Sequence, residues 1–176
     1  PEFNIEEAIR ILEDAGYTKD ANGYYVSGLT IDVFEAGGYP DAAKLMEATL
    51  AKAGIELKVQ VHEFNAWSEK VEIQRDFMLE LQGGFMGPDP AALQKRLGTG
   101  QYSNFGDYSS EEFDNLLVKG ATTGDQDERA KYYKEAQAIL AEDLPYIPIV
   151  TFAGYDANND RFINLPIDGA GKWGWQ

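Results

Sequence analysis

The sequence contains no cysteine and a single histidine, His62. The first absence excludes disulfides, thiolate zinc sites, iron–sulfur clusters and cysteine nucleophiles. The second leaves no histidine pair to hold a transition metal, and no metal or other cofactor is expected. Basic residues are also scarce: 15 Lys and Arg stand against 30 Asp and Glu, a formal net charge of −15. Such a chain repels phosphates and anionic lipid headgroups, so no nucleic-acid partner is expected. Long apolar runs are missing, and no stretch approaches the roughly 20 residues of a membrane-spanning helix. The opening residues, Pro1-Glu2-Phe3-Asn4, carry neither a basic region nor an apolar segment. A signal peptide is therefore not expected there, as in a mature exported protein or a piece of a longer one.

What is present has the texture of a globular α/β domain. Asn4 caps a first helix with Glu7 three residues on, and Ile5, Ala8, Ile9, Ile11, Leu12 and Ala15 form its apolar stripe. Gly16 stops it. Asp20 to Gly23 reads as a turn, and a strand is predicted over 24–35, where Leu29, Ile31 and Val33 alternate. Gly37 and Gly38 break the chain before a helix over 41–53, whose buried face is read as Ala42, Leu45, Met46, Thr49 and Leu50. A second strand over 55–64 carries Ile55, Leu57, Val59 and Val61 two apart, then come a short helix over 67–73 and a third strand over 77–81. This strand–helix rhythm calls for a parallel or mixed sheet flanked by helices.

From Gly83 to Ser110 the chain turns to Gly, Pro, Asn and Ser with scattered aromatics, a long connection that includes a helical piece over 90–97. Connections of this length in compact domains are frequently functional. Helices follow over 110–119 and 125–142, with strands expected over 149–152 and 162–165.

Catalytic patterns fail one by one. His62 lies in a strand opposite the Val59 and Val61 face, with no nucleophile-elbow Gly-x-Ser-x-Gly anywhere, and reads as a surface or edge residue. Asp156 to Asp160 opens like a calcium loop, but Arg161 replaces the required glycine and Ile167 the bidentate glutamate. Gly98-Thr99-Gly100 lacks the lysine of a phosphate cradle. Carboxylate pairs can be picked anywhere among 30 acids, so none marks a glycosidase. The aromatics Trp67, Phe85, Tyr102, Phe105, Tyr108 and Tyr155 fall at loops or element ends. Beside a glycine-rich loop they suggest a recognition face, although any one of them can equally close off the core.

The order of motifs resembles that of the family 5 (peptide/opine/nickel) solute-binding proteins of ABC transporters. The pieces are Asn4 to Tyr17, the helix ending at Gly54 before Ile55, Trp67 with Asp76-Phe77, Pro88-Asp89-Pro90, Asn104 with Tyr108-Ser109, Phe113 to Leu117, and Arg129 to Pro148. The resemblance implies a type II periplasmic-binding-protein-like fold of two α/β lobes closing on a solute and docking on ABC permease subunits. It makes residues 1–150 the carboxy-terminal lobe and 151–176 a terminal segment crossing back toward the missing amino-terminal lobe. The chain is then a fragment with half of a ligand cleft, from a periplasmic or extracellular parent with or without a lipid anchor. In peptide-binding members of the family an aspartate pairs with the peptide's α-ammonium. Here Met86 stands at that position, which opens the solute class to opine-like or sugar-like molecules beside peptides, and Asp89 is expected to cap the following helix. Trp67, Phe85, Met86, Asn104 and Tyr108 are the expected ligand-binding residues. The rival readings are a protein-interaction module without a small-molecule ligand and a carboxylate-based hydrolase.

Overall fold

A computed structural model of the chain describes residues 3–83 and 89–150. The chain divides into two compact units, Pro1–Gly83 and Gly84–Gln176. The division falls inside the stretch read from the sequence as one lobe. The predicted terminal segment, 151–176, lies outside the described residues, as do the strand predicted over 162–165 and the second half of the one over 149–152; residues 149 and 150 are not in a strand.

The first unit opens with helix α1 (Ile5–Asp14). The Asn4 carboxamide oxygen accepts the Glu7 N–H at 2.9 Å, and Gly16 takes φ +86° while the N–H groups of Gly16 and Tyr17 bond back to Glu13 and Leu12. The apolar stripe is real but no α1 residue is buried, and Ile11 lies on the exposed side. Strand β1 (Val26–Phe34), helix α2 (Tyr39–Lys52) and strand β2 (Ile55–His62) form a parallel strand–helix–strand unit. Helix α3 (Phe64–Ser68) runs straight into a π-helical turn, Glu69–Ile73, which leads to the short strand β3 (Leu79–Glu80). The sheet order is β2-β1-β3 and both pairings are parallel. This is the helix-flanked sheet that the sequence predicts.

Alternation along the strands assigns the two faces. Ile31 and Val33, with Leu57, meet Ala43 of α2, and Leu29, Val59, Met46 and Leu50 pack around them. The buried face of α2 therefore runs through Ala43, Met46 and Leu50. Leu45, expected inside, is 70% exposed: it lies two residues from Ala43, about 200° round the helix, and so points away from the sheet. The opposite sheet face receives Trp67 and Val71, four residues apart on the α3–π segment and both buried. β3 is shorter than predicted because only Ile31 and Asp32 of β1 have partners there.

The second unit is helical among its described residues. A 3₁₀ turn (Pro90–Ala92) leads into α4 (Leu93–Leu97), followed by α5 (Glu111–Thr122) and α6 (Gln126–Asp143). Ser110 caps α5 and Asp125 caps α6 through their side chains. Leu97, Phe113, Leu116, Leu117, Tyr133 and Ala136 form the core where α4, α5 and α6 meet. α6 ends where Leu144 adopts φ +48° just before Pro145.

Candidate functional site

In open parallel sheets, ligands meet the carboxyl ends of the strands. In the first unit these ends are Phe34 and the Glu35–Gly38 loop, His62 and Glu63, and the segment leaving β3. Glu63 closes the β2 end: its carboxylate accepts the N–H of Asn65 at 2.9 Å and of Ala66 at 3.4 Å, starting α3 there. Gly38 begins α2 at φ +77°, a conformation open to glycine with little strain. The Gly83 N–H donates to the Tyr39 hydroxyl at 2.9 Å, tying the β3 exit to the start of α2.

Four rings gather at this edge. Phe34 lies 4.8 Å from Tyr39, 5.3 Å from Phe64 and 4.8 Å from Trp67, centroid to centroid. Phe64 stacks on Trp67 at 6.0 Å. Their exposure separates their roles: Trp67 is 1% exposed, Phe64 53%. Trp67 is therefore a buried support, and Phe64 presents a ring to solvent. Tilted and edge contacts of this kind hold aromatic rings in a fixed arrangement.

Beneath the edge sits a polar pair. Asp32, in the middle strand, is 0% exposed, and its Oδ1 lies 2.6 Å from Nε2 of His62. The other carboxyl oxygen has no hydrogen-bond partner among the described residues. Lys70, on the π-helical turn, bonds Asp76 through both its side chain and its carbonyl. Its pKa is raised, first by the hydrogen bond to Asp76, against desolvation, and then by attraction from Asp32 and Asp76. His62 is thus a partly covered, hydrogen-bonded residue at the end of the edge strand β2, so of the two positions expected, surface or edge, it takes the edge.

The other predicted ligand residues fall elsewhere. Asn104, in the second unit, is 3% exposed. Its amide donates to the carbonyls of Gly98 at 3.0 Å and Tyr108 at 2.7 Å, and its oxygen accepts the Tyr108 N–H at 3.1 Å. The Tyr108 ring packs edge-on against Phe113 and its hydroxyl donates to Asp143 at 2.6 Å. Burial, and then that hydrogen bond, push the Tyr108 phenol pKa upward. Asn104 and Tyr108 share one bracket that shapes the Gly98–Ser110 connection. Phe85 and Met86 lie outside the described residues. Asp89 caps the turn after it as expected, accepting the Ala91 N–H at 2.8 Å, and it also meets Arg129 at 2.6 Å.

Phe34, Tyr39 and Phe64 look in the sequence like ordinary strand and helix aromatics until the edge is assembled. Asp32 carried a signal: a carboxyl group inside the run Ile31-Asp32-Val33 has to find a partner. On α5 and α6, an open groove lined by Glu111, Glu112, Asn115, Leu116, Lys119 and Glu135 is shallow and acidic. Among the described residues no group of three His, Asp or Glu can hold a metal ion, and no helix is long and apolar enough to cross a membrane.

No family model matches the chain. It is 30% identical over 165 residues to di/tripeptide-binding protein 2 of Pseudomonas aeruginosa, covering 88% of this chain and 30% of that protein. It is 24% identical over 184 residues to the dipeptide-binding protein of Escherichia coli, covering 97% and 32%. Among solved structures it matches the ABC transporter-associated periplasmic binding protein DppA of Helicobacter pylori, in complex with the peptide STSA. The TM-score there is 0.70 at 29% identity, over 84% of this chain and 28% of that one. The oligopeptide-binding protein AppA of Bacillus subtilis, in complex with a nonapeptide, matches with a TM-score of 0.69 at 26% identity, over 82% and 31%. The relatives and solved structures that the chain is similar to are family 5 solute-binding proteins, so the resemblance carried by the sequence motifs is borne out. The chain spans about 30% of the length of the curated relatives it matches.

Proposed function

We propose that this chain is the carboxy-terminal lobe of a solute-binding protein that serves an ABC importer, and that the carboxyl edge of β1 and β2 is part of its solute face. The observation that supports this most is the exposed Phe64 ring, held by Phe34 and Trp67 where the parallel strands end. An apolar ring on a rigid support offers contact area without ordering cost when a solute arrives. The chain acts by binding and not by turnover. Its parent works in the periplasm or outside the cell and docks on permease subunits.

Relatives named for dipeptides and oligopeptides make peptides the first solute class to test, with opine-like and sugar-like molecules next because Met86 replaces the ammonium-binding aspartate. The test is a thermal-shift screen of the full-length protein, with this fragment alongside, against peptides, disaccharides, opines and metal chelates. One class is expected to raise the melting temperature of the full-length protein by several degrees and that of the fragment by little, since half a cleft binds weakly. If no class shifts the full-length protein, the receptor reading fails. Contact with another protein, the second reading, then draws on the exposed apolar side chains of Leu45, Ile73 and Met78.

A further inference from the structure

We infer that His62 is the positioning residue of the aromatic edge: anchored on Asp32, it holds the last rung between β1 and β2 so that Phe34, Phe64 and Trp67 keep one arrangement. The inference rests on the reading of that edge as a solute face.

The placement of the pair carries it. Phe34 and His62 are partners in the parallel register, and the Glu35 N–H donates to the His62 carbonyl at 3.0 Å. The imidazole reaches back along the strands to Asp32 Oδ1 at 2.6 Å. Main chain and side chain of His62 thus both grip β1 at the point where it turns into the Glu35–Gly38 loop. On the far side of His62, Glu63 starts the helix that bears Phe64 and Trp67. Any slip of His62 moves Phe34 at the end of β1 and the Phe64 ring at the start of α3 together.

Stability alone does not account for the pair. Asp32 lies within the Ile31-Asp32-Val33 stretch, whose three residues are all buried, and an apolar side chain there is commonly neutral or stabilising relative to a buried polar pair. A buried carboxyl group does, however, demand a partner in a set direction, and directional bonds specify geometry where apolar contacts tolerate sliding. Gln60 and Glu80 flank Asp32 in the register of the neighbouring strands, and Lys70 attracts it from the π-helical turn. His62 is 23% exposed at its side chain, so the pair sits at the boundary between the core and the edge.

The experiment uses the whole chain with 5-fluorotryptophan at Trp67, after Trp173→Phe and Trp175→Phe, and reads the ¹⁹F resonance. His62→Leu is expected to shift and broaden that resonance. His62→Gln, whose amide N–H can donate to Asp32, is expected to restore the parent position. A parent-like resonance in folded His62→Leu overturns the inference. If that variant does not fold, the double variant Asp32→Leu/His62→Leu keeps the core filled. It is expected to fold with a displaced Trp67 resonance, and a parent-like one overturns the inference. The solute-face reading is tested separately, by Phe64→Ala and the binding of the peptide Ser-Thr-Ser-Ala to the full-length protein. Unchanged binding there counts against the solute face and leaves the positioning of Trp67 by His62 standing on its own resonance.

Discussion

Gly54 lies under the ring of Tyr25 so closely that a Cβ at position 54 would come within 2.7 Å of Tyr25 Cδ2. The same glycine has φ +77° and receives two N–H donors on its carbonyl, from Tyr25 at 2.7 Å and Val26 at 3.3 Å. One residue thereby ends α2, starts β2 and locates the beginning of β1.

Gly54→Ala is expected to destabilise the chain by more than about 1 kcal/mol, because it adds a contact clash to the strain of positive φ. Gly100→Ala is the control: φ is +71° there, but the added Cβ meets nothing within 4 Å. Thermal melts followed by circular dichroism should rank Gly54→Ala clearly below Gly100→Ala. Equal losses would show that the Tyr25 ring yields.

Gly120 of α5 faces Tyr133 of α6, and a Cβ there would sit 2.8 Å from the ring. That ring has little room to move: Tyr133 is buried, and the Arg129 guanidinium lies 5.0 Å above it. Gly120→Ala should cost about 1–3 kcal/mol by overpacking, despite the better helix propensity of alanine. A urea-unfolding midpoint at or above that of the parent would contradict this packing.

Asn104 separates a structural from a ligand-binding role. Its amide bridges Gly98 and Tyr108 from a buried position, so Asn104→Ala should cost about 1–3 kcal/mol by orphaning buried polar groups. The melting temperature of the isolated chain, without any solute, is the measurement. An unchanged value, with weaker solute binding by the full-length protein, would return Asn104 to the ligand face.

Acid should loosen the second unit at its start. The Asp89 pKa is lowered, first by the Ala91 N–H and then by the Arg129 guanidinium, against a smaller desolvation effect. A carboxylate with a depressed folded pKa contributes stability above its unfolded value, near 3.9, and that contribution is lost as pH falls through the folded value. The pair is exposed and screened by salt, so the effect is small. Asp89→Asn should lower the melting temperature near neutral pH and leave it less dependent on pH in the acid range. Parallel pH profiles for variant and parent would show that Asp89 makes no such contribution.

The helices and their ends were legible because their signals are local. Asn4 caps the helix read after it, Gly16 and Gly54 follow the helices they stop, and the helices read over 110–119 and 125–142 begin one residue later, with Ser110 and Asp125 as their caps. The parallel sheet was legible for a similar reason, since alternation in β1 and β2 with a helix between them leaves few topologies. The buried face of α2 was read correctly at Met46 and Leu50 and missed at Ala43, about 200° round the helix from Leu45, because the choice between those two rests on what β1 and β2 present to the helix.

The sequence by itself determined the α/β class, the element order, the family resemblance and the absence of thiol chemistry, all of which follow from local pattern and composition. Only the tertiary structure decided which aromatics are available. Trp67 and Asn104 turned inward while Phe64 stayed exposed, because burial depends on what packs against or bonds to each side chain and not on residue type. The Asp32–His62 contact likewise needed the β1–β2 register, which brings together residues 30 apart in sequence through hydrogen bonds that no local signal encodes.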